Sequence, residues 1–280
     1  MLTKLFTLYV YFQALFCGCA SDRKEAGFEK PPFKYKLERI GRLNEVIRES
    51  SGLATANDST YWTHGDSGTP AELYRFNRGG EVLERLPLAL QNQDWEELAE
   101  DKEHLYIGDF GNNQNSRQNL RIYRVNRQDY SLSGTIDFAF EDQTDFPSEK
   151  DNLHYDLEAF FHHQGSLYLF TKSRGKGKQL RQYVLPAMPG TYKAKLRQQL
   201  SVNSMVTAAD LAPGGRQFAV LAYGRLYLFE AQNGEVNLSG KHYCLPLSRT
   251  GQAEALLFTS PNQLLLTNEG GKVYQLTLFK

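Results

Sequence analysis

Five short stretches decide how this chain is read: Ser51-Gly52-Leu53-Ala54, Glu96-Glu97-Leu98-Ala99, Glu158-Ala159-Phe160-Phe161, Ala209-Asp210-Leu211-Ala212 and Glu254-Ala255-Leu256-Leu257. Each holds a large apolar residue in its third place. Each is followed by an apolar run ending in a polar or charged residue: Tyr61 to Asp66, His104 to Asp109, Leu167 to Lys172, Phe218 to Tyr223 and Leu264 to Glu269. A tyrosine with an apolar or amide neighbour comes next, at Leu73-Tyr74, Ile122-Tyr123, Gln182-Tyr183, Leu226-Tyr227 and Val273-Tyr274. The tyrosines are spaced by 49, 60, 44 and 47 residues. A period of that size, with several short strands per unit, is how a β-propeller is written in sequence.

Composition agrees. Tyrosine (16) and phenylalanine (17) are plentiful while methionine (3) is scarce, which suits half-buried strands better than helices. Glycine pairs such as Gly79-Gly80, Gly214-Gly215 and Gly270-Gly271 punctuate the runs. The expected fold is all-β: five four-stranded blades over residues 33–280. Outer strands are expected at Val82 to Leu88, Ile136 to Glu141, Ala194 to Leu200 and His242 to Leu247. The fifth unit runs out of chain before a fourth strand. The alternating stretch Phe33 to Leu43 has no place in the first unit, so it is expected to pair with the last and close the ring, leaving no raw sheet edge there. Six blades would follow if Arg127 to Asn152 formed strands of its own.

The first residues are of another kind. Lys4, an apolar run from Leu5 to Phe16, and then Cys17-Gly18-Cys19 form a secretory signal too short to span about 30 Å of hydrocarbon. Gly18 before Cys19 resembles a bacterial lipobox. Residues 1–18 therefore read as a lipoprotein signal peptide, Cys19 as the lipidated residue, and 19–32 as a polar tether to the propeller domain. The chain is expected in the cell envelope, in the periplasm or on the outer membrane, held by its lipid. With Cys17 removed and Cys19 lipidated, Cys244 would stand alone and no intramolecular disulfide would form. Acidic and basic residues balance at 32 each, so nothing draws the molecule to nucleic acid. A monomer is expected, its partner an envelope protein or an unknown ligand.

Candidate chemistry lies where the repeat gathers polar groups onto one axis. Asp66, Asp109 and Glu269 end equivalent runs and are the expected metal ligands, with calcium the natural cation for oxygen donors. Lys172 and Tyr223 hold the same place in the other units and, with His64 and Asp94, are candidate ligand-binding residues. Glu96 and Glu158 are candidate acid–base catalysts. Asp94 and Glu96, like Asp156 and Glu158, are two apart and so expected on one side of a strand. The same acids would equally serve to pin one blade's backbone to the next.

His64-Gly65-Asp66-Ser67-Gly68, Asp94-Trp95-Glu96, Gly108-Asp109-Phe110-Gly111-Asn112-Asn113, Asp156-Leu157-Glu158-Ala159 and Thr171-Lys172 together resemble a family of secreted bacterial propeller proteins with no settled function. The chain is more distantly similar to esterase-like phytase and lactonase propellers, a likeness that implies calcium-assisted ester hydrolysis. Three functions follow in order: a membrane-displayed ligand- or partner-binding scaffold, a calcium-dependent hydrolase of esters, lactones or phosphoesters, and a glycosidase built on paired carboxylates.

Overall fold

The computed structural model describes residues 18–47, 49–231 and 234–280. The signal segment and Cys17 lie outside the described residues. Strand β1 (Lys34–Arg42) is followed by β2 (Ser50–Asn57), β3 (Thr60–Gly65), β4 (Glu72–Asn77) and β5 (Val82–Pro87). The second unit holds β6 (Trp95–Glu100), β7 (His104–Asp109), β8 (Leu120–Asn126) and β9 (Leu132–Phe140). The third holds β10 (Asp156–His163), β11 (Ser166–Lys172), β12 (Gln179–Pro186) and β13 (Gly190–Ser201). The fourth holds β14 (Val206–Leu211), β15 (Gln217–Ala222), β16 (Arg225–Glu230) and β17 (His242–Pro246), and the fifth β18 (Ala253–Ser260), β19 (Gln263–Asn268) and β20 (Lys272–Phe279).

Each unit is an antiparallel meander, and β1 pairs with β20 to supply the fifth unit's outer strand. The ring is thus closed by the two ends of the fold, as the repeat demanded. The connection from Arg127 to Asn152 adds no sixth blade; it contains β9 and a single 3-10 turn. Strand β9 also pairs in parallel with β13, which fuses the outer edges of the second and third units into one eight-stranded sheet.

The apolar interior is divided into five clusters, each seated between two neighbouring blades. Leu53's cluster joins units one and five, for example, while Trp95 and Leu98 pack with Trp62 and Leu73 between units one and two. Such a core has no single centre. Removing one blade would strip the facing side chains of both neighbours, so the ring is expected to open as one event.

All five innermost strands carry a bulge at or just before the first motif. Register shifts lie between Ser51 and Ala54, Trp95 and Glu97, Leu157 and Ala159, Val206 and Ala208, and Ala253 and Ala255. The extra residues are Glu96, Glu158, Thr207 and Glu254 in units two to five, and Gly52 with Leu53 in the first. An unpaired residue bends the strand and re-aims its side chain. Gly52 adopts φ +66°, and a Cβ there would run into the backbone of Leu98 and Glu97, so glycine is required. In the fourth unit the bulge falls at Thr207, two residues before the place the sequence alignment gives it.

The segment after residue 18 differs from its expected form. Residues 19–29 are not a tether but a strap across the fourth unit. Helix α1 (Ala20–Ala26) ends at Gly27 in the left-handed conformation. Asp22, 1% exposed, is ion-paired with the fully buried Arg225 and accepts the Tyr227 hydroxyl at 3.0 Å. Phe28 packs tilted against Tyr227 and edge-on against Phe229, and Glu29 bridges to Tyr243 on the outer strand β17. Cys19 is disulfide-bonded to Cys244. The expectation of a solitary Cys244 with no intramolecular disulfide is corrected by this bond.

Candidate functional site

The bulges of units two, three and five point their glutamates at the ring axis. Glu96, Glu158 and Glu254 line a cavity of about 410 Å³, which also receives Glu49, Ser51 and Asp66 from the first unit. Asn113 comes from the second unit, Lys172 and Arg174 from the third, Tyr223 from the fourth, and Gln252 and Glu269 from the fifth. Every unit contributes. Four of the five run-ending residues, Asp66, Lys172, Tyr223 and Glu269, do converge as expected.

The floor is a chain of charged and polar contacts. Lys172 Nζ lies 3.0 Å from Glu158 Oε2 and 5.3 Å from the centre of the Tyr223 ring. The Tyr223 hydroxyl donates to Glu254 Oε1 at 2.5 Å, and Gln252 donates to Glu269 at 2.6 Å. Arg174 Nε is 2.6 Å from Asp156, and its Nη2 also bonds Asn113 Oδ1. Burial alone would lower the Lys172 amine, but Glu158, Tyr223 and Glu254 outweigh it and hold its pKa well above the ordinary lysine value. The amine is a fixed charge.

The acids feel the opposite stress. Burial, the charge of Glu158 and that of neighbouring aspartates push Glu96 well above the usual carboxylate range. Burial and the proximity of Glu254 raise Glu269 to about 8, and burial with Asp66 and Asp156 raises Asp94 to about 6. Six carboxylates and two cations line the cavity.

The acids at and near the inner strands divide into two groups. One group pins blades. Glu97, fully buried, accepts the N–H of Leu53 at 3.1 Å from the first unit and of Leu98 at 3.0 Å. Asp210 accepts Leu211 at 2.8 Å and Phe258 of the fifth unit at 2.6 Å, and burial raises it to about 7. Asp156 takes the Asn112 N–H at 3.0 Å, so it does not share the role of Glu158 two residues on. Strict alternation breaks at the bulge.

Asp109 joins the pinning group, which corrects its assignment as a metal ligand. It pairs with Arg117 at 3.1 Å and accepts the N–H of Asp94 at 3.1 Å, fixing the loop before β6. Glu269 lines the cavity but lies outside the acid triad that gathers there. His64 is likewise corrected as a ligand-binding residue. It is fully buried, its Nδ1 is 2.9 Å from the Gly65 carbonyl, and its ring meets Trp95 edge-on. Burial lowers it to about 4, so it is a neutral packing group.

What does gather is Asp66, Asp94 and Glu96, each offering one oxygen within 4.8 Å of the others. Asp94 also lines an adjoining groove of about 340 Å³ with Gln93, Gly111 and Asn113. A Cβ on Gly111 would overlap the carboxylates of Glu96 and Asp94, so glycine is what lets the loop rest on them. The one sequence signal for this set is that Asp94-Trp95-Glu96 and Gly111 both flank inner strands.

The fold and the axial cavity define a β-propeller. The chain matches no known protein-family model and no curated protein. Among solved structures it is similar to the PQQ-bound aldose sugar dehydrogenase of Streptomyces coelicolor, at 11% identity and TM-score 0.51 over 89% of this chain and 99% of that one. It is also similar to the virginiamycin B lyase of Staphylococcus aureus in complex with quinupristin, at 11% identity and TM-score 0.50 over 88% and 100%. In a selenomethionine-substituted structure of that lyase, the match spans 82% of this chain and 66% of the other, at TM-score 0.41. At such identity the first two likenesses establish the fold and nothing finer.

Proposed function

We propose that this protein is a ligand-binding propeller acting outside the cytoplasm, and that its ligand is a small polar molecule held in the axial cavity. The observation that carries this reading is the lining itself: all five units send polar side chains into one cavity of about 410 Å³. Lys172, Arg174 and Tyr223 are fixed there by acids rather than left to solvent. Convergent, rigid polar groups in a concave site are the ordinary requirement for small-ligand recognition. An oxidising compartment is supported by the Cys19–Cys244 bond. Attachment to a membrane through Cys19 would need the sulfur which that bond occupies.

A second reading, hydrolysis of an ester, lactone or phosphoester, is favoured by one feature. Glu96 and Glu158 lie in the same cavity as the Tyr223–Glu254 hydrogen bond, so groups able to give and take protons surround one space. The virginiamycin and sugar enzymes lend this reading only their architecture.

A thermal-shift panel of monosaccharides, sugar lactones, amino acids, short peptides and phosphoesters tests the first reading. At least one class should raise the melting temperature of the wild type and fail to do so in Tyr223→Phe and Lys172→Met. A ligand whose hydrogen-exchange footprint lay on the outer strands would overturn it. Turnover of a panel compound, abolished in Glu158→Gln with folding intact, would move the assignment to the second reading.

A further inference from the structure

We propose that the ligand is a neutral oligosaccharide, with one sugar unit seated in the axial cavity and the next in the adjoining groove lined by Gln93, Asn113, Gln114 and Ser116. This rests on the ligand-binding reading above and adds to it a class of ligand and a second subsite.

The two spaces are continuous. Asn113 lines both the cavity of about 410 Å³ and the groove of about 340 Å³. Asp94, in the groove, offers an oxygen within 4.8 Å of oxygens on Asp66 and Glu96, which line the cavity. A ligand longer than the cavity therefore passes over Asp94 and Asn113 into the groove.

The loop that walls the groove is fixed from within. Asn112, 2% exposed, accepts the N–H groups of Ser116 and Arg117 at 2.9 Å each and donates its amide to the Tyr155 carbonyl at 3.0 Å. Arg117 donates to the Gly111 carbonyl at 2.9 Å. The N–H of Gly111 goes to the Asp94 carbonyl at 3.1 Å, that of Asn112 to Asp156 at 3.0 Å, and that of Asn115 to the Asn112 carbonyl at 2.7 Å. With these backbone donors spent, no ladder of main-chain bonds is left for a peptide strand. What the loop offers a ligand is its side chains.

Those side chains set the chemistry. No residue lining the groove has an apolar side chain, and its one acid, Asp94, and one base, Arg117, balance in formal charge. Among the described residues the side chains of Gln114 and Ser116 make no hydrogen bond. Asn113 uses only its Oδ1, on Arg174, and Gln93 only its Oε1, on Asn119. Amides and hydroxyls both donate and accept, which is the pattern that sugar hydroxyls require. A lipid or aromatic ligand finds no surface here, and a peptide finds neither a recess for its side chains nor a strand edge. Without an aromatic ring in the groove the grip is by hydrogen bonds, each modest in net effect, so affinity should rise with chain length in small steps.

The full chain is titrated by calorimetry with cello-, xylo-, malto- and N-acetylchito-oligosaccharides and with their monosaccharides. In at least one series the disaccharide should bind about 10–100-fold tighter than the monosaccharide. It should also protect residues 111–117 from hydrogen exchange, which the monosaccharide should not. The double variant Gln114→Ala, Ser116→Ala changes two exposed positions and should melt with the wild type. In it the gain from the second unit should shrink to about threefold or less. No gain with length in any series overturns the proposal, as does a gain that survives the double variant, or tighter binding of short peptides than of any sugar. If a compound of the earlier panel binds in the cavity while lengthening adds nothing, this proposal fails and the ligand-binding reading stands. If neither the panel nor the sugar series binds, both fail.

Discussion

Asp210 and Glu96 show how one residue type takes two roles. Both are buried acids at the inner strands of their units. Asp210 is met by two backbone N–H groups, one from its own strand and one from the next blade, whereas Glu96 meets no donor. The difference comes from position relative to the bulge, which turns Glu96 to the axis. Asp210→Ala would leave the N–H groups of Leu211 and Phe258 buried and unsatisfied, each worth about 1–3 kcal/mol. Urea unfolding should show a loss of about 3 kcal/mol for Asp210→Ala and none for Glu96→Gln. An equal loss in both would remove the distinction between pins and cavity residues. The presence of acids in every unit was legible in the sequence. Which ones pinned was not, because a bulge shifts facing by one residue and leaves no mark in composition.

Among the elements, the N-terminal strap departs furthest from what the sequence suggests. Its polar stretch, Ser21-Asp22-Arg23-Lys24-Glu25, reads as solvated spacer. Asp22 nonetheless sits at the bottom of a buried triad with Arg225 and Tyr227, and Cys19 is bonded to a strand 225 residues away. Linking such distant points restricts the unfolded chain strongly, and native disulfides of this sort contribute about 2–5 kcal/mol. Cys244→Ser, or reduction of the wild type, should lower the melting temperature by about 5–10 °C and open residues 18–30 to limited proteolysis. Intact-mass analysis reads the same bond directly. An acylated Cys19 with Cys244 open to thiol labelling would contradict it. By contrast β1 was legible: its apolar alternation and lack of a home in the first unit marked it as the partner of β20.

At the scale of the whole molecule, closing the ring concentrates acids that the chain keeps far apart. Their raised pKa values then become a property of the fold. Glu269, near 8 in the folded protein against about 4.5 when unfolded, is protonated when folded and ionised when unfolded across that interval. Its contribution is therefore complete below about pH 4.5 and is lost as pH climbs through 8. Asp94, at about 6, adds to the same trend over a narrower range. The chelator-treated protein should melt progressively lower from pH 5 to pH 9, and Glu269→Gln should flatten the profile. A melting temperature that rose over that interval would mean that the cavity acids are not stressed as the geometry requires.

The sequence by itself determined the propeller, its five units and the strand that closes it, because a repeat of apolar pattern and turn residues needs only local chemistry to be read. It also pointed to an axis where polar run-ending residues meet, and Asp66, Lys172, Tyr223 and Glu269 do line the cavity there. Only the tertiary structure decided that Asp66, Asp94 and Glu96 meet while Asp109 and His64 are consumed in packing, and that Cys19 finds Cys244. Those outcomes depend on which way a bulged backbone turns and on distances across the ring, and neither quantity is encoded in the order of neighbouring residues.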